Sequence, residues 1–382
     1  MKVSSDIALT TAPESLRIEG PGCPPCEYSS MWLRDNAAVN RDLNSGQRLI
    51  DITDLPRSPR IKRAQLKADV VEVQWEDQAV LSEFKLNWLK EAVRPVRERR
   101  PELAVERWPN GKELDASVRF AWLEFAALDH DSQEKLSWLT RLAQSGMAFI
   151  RGVPATEAGV LQAMSHVGRV CETNYGLVFD VRSVPQPENL AYSDLGLGLH
   201  TDNPYREPVP GFQALHALLV SPDGGESLFA DGFALAEHLR RESPRDFARL
   251  SATPVPFRYR SKDADLYAER PLIQLRCDGE VSAVHYNNRS IAPFAEAGAA
   301  SEGFYDAYRR FAELLKEPSF QMHYRLKAGE LVLFDNQRIL HGRTAFTSTR
   351  HPRHLRGCYL TRDSVYSETA LLRARLRAEG ST

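Results

Sequence analysis

The chain has 382 residues, of which 42% are hydrophobic and 26% charged, and its formal net charge is −2. Length and composition predict a globular protein with two domains or one large elaborated domain. The balanced charge excludes a global basic field for nucleic acid or an anionic membrane surface. No segment approaches the ~18 apolar residues of a membrane span.

The expected location follows from the N-terminus and the cysteines. Residues 1–15 lack the apolar region of a secretory signal. The five cysteines are Cys23, Cys26, Cys171, Cys277 and Cys358. An odd, sparse set without an export signal predicts a reducing, cytoplasmic location.

All six tryptophans lie in the first 140 residues, which predicts that the N-terminal part has a core of its own. Residues 70–75 alternate as a strand does, and residues 81–93 have the apolar spacing of a helix. The charged run 94–101 contains two prolines and has no periodicity, so it predicts a boundary. We therefore expect a small domain of residues 1–97 and a second domain of residues 98–382.

The second domain begins with a predicted amphipathic helix at 132–144, capped by Ser132, and a short buried strand at 146–151. After residue 185, Pro and Gly separate many short apolar runs, which is typical of an all-β sandwich or barrel. These predicted strands are 211–220, 226–231, 272–275, 281–286 and 331–335. Helical inserts are predicted at 234–250 and 301–316.

A candidate metal site is formed by His200, Asp202 and the distant His341. Residues i and i+2 of a strand point to the same side, so His200 and Asp202 can bind one ion. Two imidazoles and one carboxylate are the ligand set that holds non-heme Fe(II) and leaves positions open. From spacing alone, a hydrogen-bonded core histidine explains His341 equally well.

A candidate anion partner follows the second histidine. Arg353 lies 12 residues after His341, and Arg356 three further. A guanidinium pairs bidentately with a carboxylate, so one of them can hold the far end of a dicarboxylate bound to the metal. Ser227 can add a hydroxyl to the same carboxylate. A surface arginine is the alternative explanation from the sequence alone.

Further motifs extend this pattern along the chain. They are Trp-Leu-Arg-Asp-Asn at 32–36, Asn-Leu-Ala-Tyr at 189–192, Asp-Gly-Phe at 231–233, Asn-Asn at 287–288, Phe-Asp-Asn at 334–336 and His-Gly-Arg at 341–343. In this order they resemble the Fe(II)/2-oxoglutarate dioxygenases of the γ-butyrobetaine hydroxylase branch, in the wider taurine dioxygenase-like superfamily. The resemblance covers nearly the whole chain.

The resemblance implies a mainly β fold with helical inserts. A small β-rich N-terminal domain would precede a double-stranded β-helix, or jelly-roll, catalytic domain. His200, Asp202 and His341 would bind Fe(II), with 2-oxoglutarate as cosubstrate alongside O2. Arg353 is implied as the partner of the 2-oxoglutarate carboxylate, and Arg356 as second choice.

The resemblance also implies a small trimethylammonium substrate. A quaternary ammonium donates no hydrogen bond and is best held by aromatic faces. The cage positions of this branch correspond to Tyr175, Phe179, Tyr192 and Tyr359, with Phe179 replacing a larger ring. The amides that bind the substrate's anionic end correspond to Asn189 and Asn287.

Two departures from the branch concern the substrate's anion. Asn203 stands where an aromatic residue can occur in carboxylate-binding members, and Arg289 directly follows the Asn pair. An added cation suits a more highly charged anion. We therefore favour 2-(trimethylammonio)ethylphosphonate, hydroxylated at the carbon bearing phosphorus, with γ-butyrobetaine as the alternative. A solvent-exposed or ion-paired Arg289 remains the simpler explanation of that residue.

A third departure concerns zinc. Relatives carry clustered cysteines just after the Trp-Leu-Arg-Asp-Asn motif, whereas this chain has residues 37–40 without cysteine, and Gln78 near an expected His. Cys23 and Cys26 lie upstream, and two cysteines cannot complete a four-ligand zinc site. We expect no zinc here; a shared site with Cys23 and Cys26 is the alternative.

Two other functional classes remain open at this point. One is a non-catalytic metal-binding jelly roll, acting as a sensor or store. The other is a zinc hydrolase that uses a metal-bound water. A homodimer is expected only because homodimers are common in the family.

Overall fold

The computed structural model describes residues 7–21, 23–93, 104–108, 119–182, 195–221, 224–293, 299–346 and 353–380. No helix within these ranges is long and apolar enough to cross a membrane. The chain divides into two compact units, residues 1–99 and 100–382. The predicted boundary between residues 97 and 98 lies outside the described residues.

The first unit contains two small antiparallel sheets. One comprises β1 (Ala8–Ala12), β2 (Ser15–Gly20) and β3 (Cys23–Ser29); the other comprises β4 (Ile61–Lys67), β5 (Val70–Trp75) and β6 (Ser82–Lys85). Its helices are Ser30–Asp35 and Leu86–Ala92, with 3-10 turns at Ala38–Asn40 and Ile52–Asp54. Alternate side chains of β2 and β5, including Leu16, Ile18 and Trp75, are buried in one core.

The prediction of a strand at 70–75 is confirmed. The prediction of one helix over 81–93 is wrong in its first part, because Ser82–Lys85 pairs with β5 and the helix begins only at Leu86. Trp108, Trp122 and Trp138 pack in the second unit. The first unit does have a core of its own, as predicted, and Trp75 and Trp32 belong to it, but the distribution of all the tryptophans does not mark its limits.

The residues considered for zinc are placed as follows. Cys23 is buried in the core of the first unit and Cys26 is half-buried on the same strand. The Gln78 side-chain oxygen accepts a hydrogen bond from the Arg34 guanidinium at 2.8 Å. The expected lack of zinc stays a prediction.

The second unit is mostly β. Its strands, in chain order, are β7 (Ala121–Glu124), β8 (Met147–Arg151), β9 (Val170–Cys171), β10 (Phe179–Arg182), β11 (Leu197–His200), β12 (Phe212–Leu219), β13 (Ser227–Asp231), β14 (Val255–Arg260), β15 (Asp265–Arg270), β16 (Ile273–Leu275), β17 (Val281–Val284), β18 (Met322–Tyr324), β19 (Leu331–Asp335), β20 (Ile339–Arg343) and β21 (His354–Leu360). Each predicted short strand thus coincides with an observed one, within one or two residues at its ends. Pro and Gly between the runs explain this agreement.

Two sheets position the candidate site. The larger has the order β10-β21-β12-β19-β8-β7, with β9 beside β21, and the smaller has the order β11-β20-β13-β18. Side chains from both sheets, including Phe149, Val332, Phe229 and Ile339, form one buried cluster. The two sheets therefore pack against each other. The strand pairs β14–β15 and β16–β17 form separate hairpins.

The helices of this unit lie at Ala127–His130, Ser132–Ser145, Gly159–Met164, Gly232–Glu242, Pro244–Ala252, Ala299–Leu314 and Arg362–Glu379, with a 3-10 turn at Pro318–Phe320. The predicted Ser132 cap is wrong: Asp131 caps that helix by accepting a hydrogen bond from the Glu134 N–H. The predicted single helix over 234–250 is two helices. Pro244 breaks it, because proline cannot continue a helix but suits a first turn.

Candidate metal centre and its cavity

His200 and His341 lie opposite each other in the β11–β20 strand pair. Their ring centroids are 4.3 Å apart. The register shifts between Leu197 and His200, so β11 contains one extra residue there. Both Leu197 and His200 therefore face the cavity, whereas Leu199 packs in the core on the other side. This bulge aims His200 at its partner.

Asp202 is held outside the regular strand. The sequence predicted His200 and Asp202 at i and i+2 of one strand, but β11 ends at His200. The Asn336 side chain fixes Asp202 instead. Its Oδ1 accepts from the Asp202 N–H at 2.7 Å, and its Nδ2 donates to the Asp202 carbonyl at 3.0 Å.

The three side chains converge. The distance from His200 Nε2 to Asp202 Oδ1 is 3.2 Å, and that from His341 Nε2 to Asp202 Oδ2 is 3.6 Å. One ligand atom from each residue lies within 4.8 Å of the others, and the described residues contain no other group of three His, Cys, Asp or Glu so placed. His200 Nδ1 lies 2.9 Å from the Gly198 carbonyl oxygen. A proton on Nδ1 would leave Nε2 free for a metal.

The protonation of these groups suits a cation. Burial, together with the nearby His200, lowers the pKa of His341 to about 3. Burial alone would raise the pKa of Asp202, but the two imidazoles and the Tyr359 hydroxyl bring it below its usual range. A neutral imidazole and an ionised carboxylate are the forms that bind metals. The residues present therefore fit a divalent metal ion.

A cavity of about 420 Å³ adjoins these three residues. The sequence-predicted residues that line it are Ser227, Arg353, Tyr175, Phe179, Tyr359, Asn287 and Arg289. Asn189 and Tyr192 lie outside the described residues. The structure thus brings most of the predicted site together around one space.

Arg356 is the exception. Alternate residues of β21 face opposite sides, and Leu355 and Tyr359 line the cavity whereas Arg356 does not. Its guanidinium instead lies 3.0 Å from Glu157 and 3.6 Å from Asp180. The second choice for the 2-oxoglutarate partner therefore points away from the cavity.

Arg353 occupies one end of the cavity, beside Ser227 and Arg343. Its side chain is buried, and its Nη1 has no hydrogen-bond partner among the described residues. Burial and the Arg343 charge lower the pKa of Arg353 to about 10, so it stays a cation near neutral pH. Gly225 leaves room for it, because a Cβ there would come within 2.9 Å of Arg353 Cδ. A buried guanidinium nitrogen with no hydrogen-bond partner in the described part of the chain suits a bound carboxylate.

The aromatic wall is wider than the sequence indicated. Phe179 and Tyr359 have ring centroids 5.0 Å apart. Tyr205 and Tyr259, which sequence reasoning missed, also line the cavity and stack at 5.2 Å. The Tyr175 and Tyr205 hydroxyls are 3.2 Å apart. Tyr205 lies only five residues after His200, and this nearness to the metal motif could have indicated that it lines the cavity. No motif near Tyr259 indicated the same.

Polar side chains complete the lining. Asn287 Nδ2 donates to the Thr201 carbonyl at 3.1 Å, and its Oδ1 has no partner within the described chain. Gln213, which the sequence analysis did not single out, has a buried Oε1 that likewise has no hydrogen-bond partner among the described residues. A lone Gln in the apolar run 211–220 was the available signal. Arg289 lines the cavity, although much of its side chain is exposed.

Two imidazoles, one carboxylate and an adjoining cavity are the parts of a 2-His-1-carboxylate oxygenase site. The chain matches the family model "Taurine catabolism dioxygenase TauD, TfdA family" over residues 111–359. It is 33% identical over 360 residues to the γ-butyrobetaine dioxygenase of Pseudomonas sp. (strain AK-1), covering 90% of each chain. It is 26% identical over 378 residues to the trimethyllysine dioxygenase of Meyerozyma guilliermondii, covering 94% of each.

The chain belongs to the TauD/TfdA dioxygenase family. It is a 2-oxoglutarate-dependent dioxygenase, and this chemistry requires Fe(II), 2-oxoglutarate and O2. The family assignment favours this activity over the metal-binding sensor and the zinc hydrolase. A taurine dioxygenase from Burkholderia xenovorans has the same fold, with a TM-score of 0.50 and 16% identity over 67% of this chain and 90% of that one.

Proposed function

We propose that this enzyme hydroxylates a short trimethylammonium zwitterion. One observation carries the proposal: a cavity walled by tyrosines and phenylalanine adjoins the His-Asp-His group and also contains arginines. Aromatic faces suit a quaternary ammonium, and guanidinium groups suit an anion. Two relatives, a γ-butyrobetaine dioxygenase and a trimethyllysine dioxygenase, support the same substrate class.

The two packed sheets are, in this proposal, the halves of a jelly roll. His200, Asp202 and His341 hold Fe(II) between them. When bound, the iron with 2-oxoglutarate and O2 supplies an oxidant that hydroxylates an unactivated C–H bond, while 2-oxoglutarate becomes succinate and carbon dioxide. The protein positions the substrate and excludes water from the site.

Arg353 and Ser227 hold the far carboxylate of 2-oxoglutarate. Both line the same end of the cavity. Arg353 Nη1 is buried there and has no hydrogen-bond partner among the described residues. The buried guanidinium fork fixes the direction of the cosubstrate, because a bidentate pair constrains the angle as well as the distance. The metal-binding end of the molecule is thereby directed at the His-Asp-His group.

In this proposal the ammonium group lies among Tyr175, Phe179 and Tyr359. The resemblance adds Tyr192, which lies outside the described residues. Tyr205 and Tyr259 extend this wall. The Tyr205 hydroxyl lies 3.2 Å from the Tyr175 hydroxyl and donates to Asn203 Oδ1 at 2.7 Å, so these hydroxyls are bonded to polar groups within the wall. A cage of this kind binds the trimethylated nitrogen and rejects a fully solvated primary amine, which pays more to lose its water.

In this proposal the anionic end meets Asn287 and Arg289, which line the cavity. The resemblance adds Asn189, which lies outside the described residues. Two substrates remain in this class. Arg289, as a cavity-lining cation, favours 2-(trimethylammonio)ethylphosphonate, which would be hydroxylated at the carbon bearing phosphorus. Similarity to γ-butyrobetaine dioxygenase favours γ-butyrobetaine, which would be hydroxylated at the carbon β to its carboxylate.

A side-by-side assay tests the proposal. Purified protein with Fe(II), ascorbate and 2-oxoglutarate is given each compound, and succinate and hydroxylated product are measured together. Stoichiometric hydroxylation of either compound supports the class, and the ratio of the two kcat/KM values assigns the anion. Succinate formed without hydroxylation of any trimethylammonium compound would reject it.

A further inference from the structure

Asp202 is supported at two points that the ligand motif does not include. The first is its backbone. Asn336 is fully buried, and its amide both accepts from the Asp202 N–H and donates to the Asp202 carbonyl. The same Nδ2 donates to the Pro210 carbonyl at 3.2 Å. One side chain therefore fixes the peptide units on both sides of the Asp202 Cα.

The second point is the carboxylate. The Tyr359 hydroxyl donates to Asp202 Oδ2 at 2.7 Å. The other oxygen, Oδ1, lies 3.2 Å from His200 Nε2. A charge-assisted hydrogen bond of this length fixes the rotation of the carboxylate about its Cβ–Cγ bond.

These supports are needed because regular structure does not hold Asp202. β11 ends at His200, and the backbone at Asn203 has a φ of +55°, in the left-handed region rather than the strand region. The ladder hydrogen bonds that fix His200 and His341 therefore stop short of Asp202. The Asn336 amide and the Tyr359 hydroxyl, which come from other elements, supply the hydrogen bonds that the ladder does not provide here.

We propose that Asn336 and Tyr359 are positioning residues that aim Asp202 at the metal, Asn336 through the backbone and Tyr359 by engaging Oδ2 so that Oδ1 is the ligand oxygen. The inference rests on the proposed role of Asp202 as a metal ligand. Asn336 belongs to the turn that leads into the His341 strand, so this turn positions two of the three ligands. Tyr359 has a double role, since its ring walls the substrate cavity while its hydroxyl orients the ligand.

Tyr359→Phe tests the carboxylate support, because it keeps the ring and removes only the hydroxyl. Anaerobic Co(II) titration, followed by the visible absorption of the bound ion, measures metal affinity without substrate or turnover. We expect the Co(II) Kd to rise about tenfold, as is usual when a partner of a metal ligand is lost, and the absorption bands to change as Oδ2 becomes free to coordinate.

The matched control is Tyr308→Phe. It removes one hydroxyl, which donates to Asn288 Oδ1 at 2.8 Å, away from the cavity lining. It should bind Co(II) as the wild type does. A Tyr359→Phe protein with unchanged Kd and bands, or with tighter binding, overturns the role of Tyr359.

Asn336→Ala tests the backbone support against Gln337→Ala, which removes the adjacent amide that bonds the Val209 carbonyl at 3.1 Å. Weaker Co(II) binding in Asn336→Ala alone is expected. If Asn336→Ala does not fold, the Tyr359 pair decides the inference. His341→Ala separates this inference from the ligand assignment. Wild-type affinity in His341→Ala rejects the assignment itself, whereas lost affinity there with no change in Tyr359→Phe rejects only the inference.

Discussion

Asp231 and Arg338 form a buried ion pair in which Oδ1 accepts from Nε at 3.0 Å and Oδ2 from Nη2 at 2.8 Å. Both side chains are almost completely enclosed. The guanidinium also donates to the backbone carbonyls of Gln144 and Glu106, each at 2.7 Å. Arg338 lies in the turn before β20, and Asp231 ends β13 and caps the following helix. The pair thus ties the His341 strand to its neighbour.

Breaking this pair should destabilise the fold strongly. In Asp231→Asn or Arg338→Met, one buried charge loses its partner, which typically costs about 3–5 kcal/mol. Equilibrium urea unfolding measures the loss as a change in the free energy of unfolding, compared between proteins that have the same m value. Arg276→Met, which removes an exposed pair with Asp278, should change it by less than about 1 kcal/mol. A loss of similar size in both variants would mean that burial of the Asp231–Arg338 pair carries no special weight.

Arg353→Gln should weaken 2-oxoglutarate binding. Loss of one partner from a buried, charged hydrogen-bonded pair typically costs about 2–5 kcal/mol, so the KM for 2-oxoglutarate should rise by at least about thirtyfold. The substrate KM should change far less. Arg356→Gln is the matched control three residues on, since Arg356 faces Glu157 and Asp180 rather than the cavity. A larger effect from Arg356→Gln would reverse the assignment.

Arg289→Gln should change the choice of anion. If Arg289 binds a doubly charged group, its loss should reduce kcat/KM for the phosphonate by about ten- to a hundredfold, which corresponds to about 1.4–2.8 kcal/mol. γ-Butyrobetaine, with a single negative charge, should be affected less. Steady-state kinetics with both compounds measure the ratio. Equal losses on both would contradict a selective role, and no loss on either would place Arg289 in solvent.

The folded state should lose stability in mild acid through His285. Burial, reinforced by the charges of Arg270 and Arg362, lowers the pKa of His285 to about 3, against about 6.5 in an unfolded chain. The unfolded state therefore binds more protons between these values. The free energy of unfolding is highest above pH 6.5 and falls as pH drops towards 3, by up to about 1.4 kcal/mol per pH unit for this group.

His285→Gln should reduce the dependence of the free energy of unfolding on pH in this range. Unfolding of metal-free protein between pH 7 and pH 5 measures it, and the remaining slope reports other buried histidines such as His341. His130→Gln is a suitable control, because that side chain is exposed. An unchanged slope in His285→Gln would show that this histidine accepts a proton without unfolding.

Gln213→Leu should raise the free energy of unfolding of the protein and lower its kcat/KM. A buried amide oxygen without a partner among the described residues costs about 1–3 kcal/mol, and an apolar side chain of similar size removes that cost. We expect the free energy of unfolding to rise by about 1 kcal/mol while kcat/KM falls. Thermal unfolding and steady-state kinetics give the two values. A fall in both would mean that Gln213 is already satisfied in the working enzyme.

Much of the site was accessible from the sequence because its residues lie in short, distinctive motifs. His200, Asp202 and His341 were found this way, as were Arg353 and Ser227. The resemblance already placed Arg353 before Arg356, but the physical reason for that order needed structure, since it depends on where β21 begins and on which of its faces meets the cavity. Strand alternation decides the question only once the first residue of the strand is known.

The missed residues share a physical cause. Tyr259 belongs to a hairpin and Gln213 to a central strand, and both reach the cavity only through long-range pairing. The three errors in secondary structure are local. Asp131 caps the helix that Ser132 was predicted to cap, Pro244 divides the predicted helix over 234–250, and strand pairing with β5 prevailed over helical spacing at Ser82–Lys85. Propensity is a weak guide wherever tertiary contacts can override it.

The extra residue in β11 has a consequence for how the centre can be lost. If β11 were straightened with all its residues retained, ordinary alternation would turn the His200 imidazole to the side where Leu199 now packs, although all three ligands would still be present in the sequence. Loss of Gly198, by contrast, would shorten β11 by the extra residue and leave Leu197 and His200 on the same face, so the centre is more sensitive to the shape of this strand than to its length.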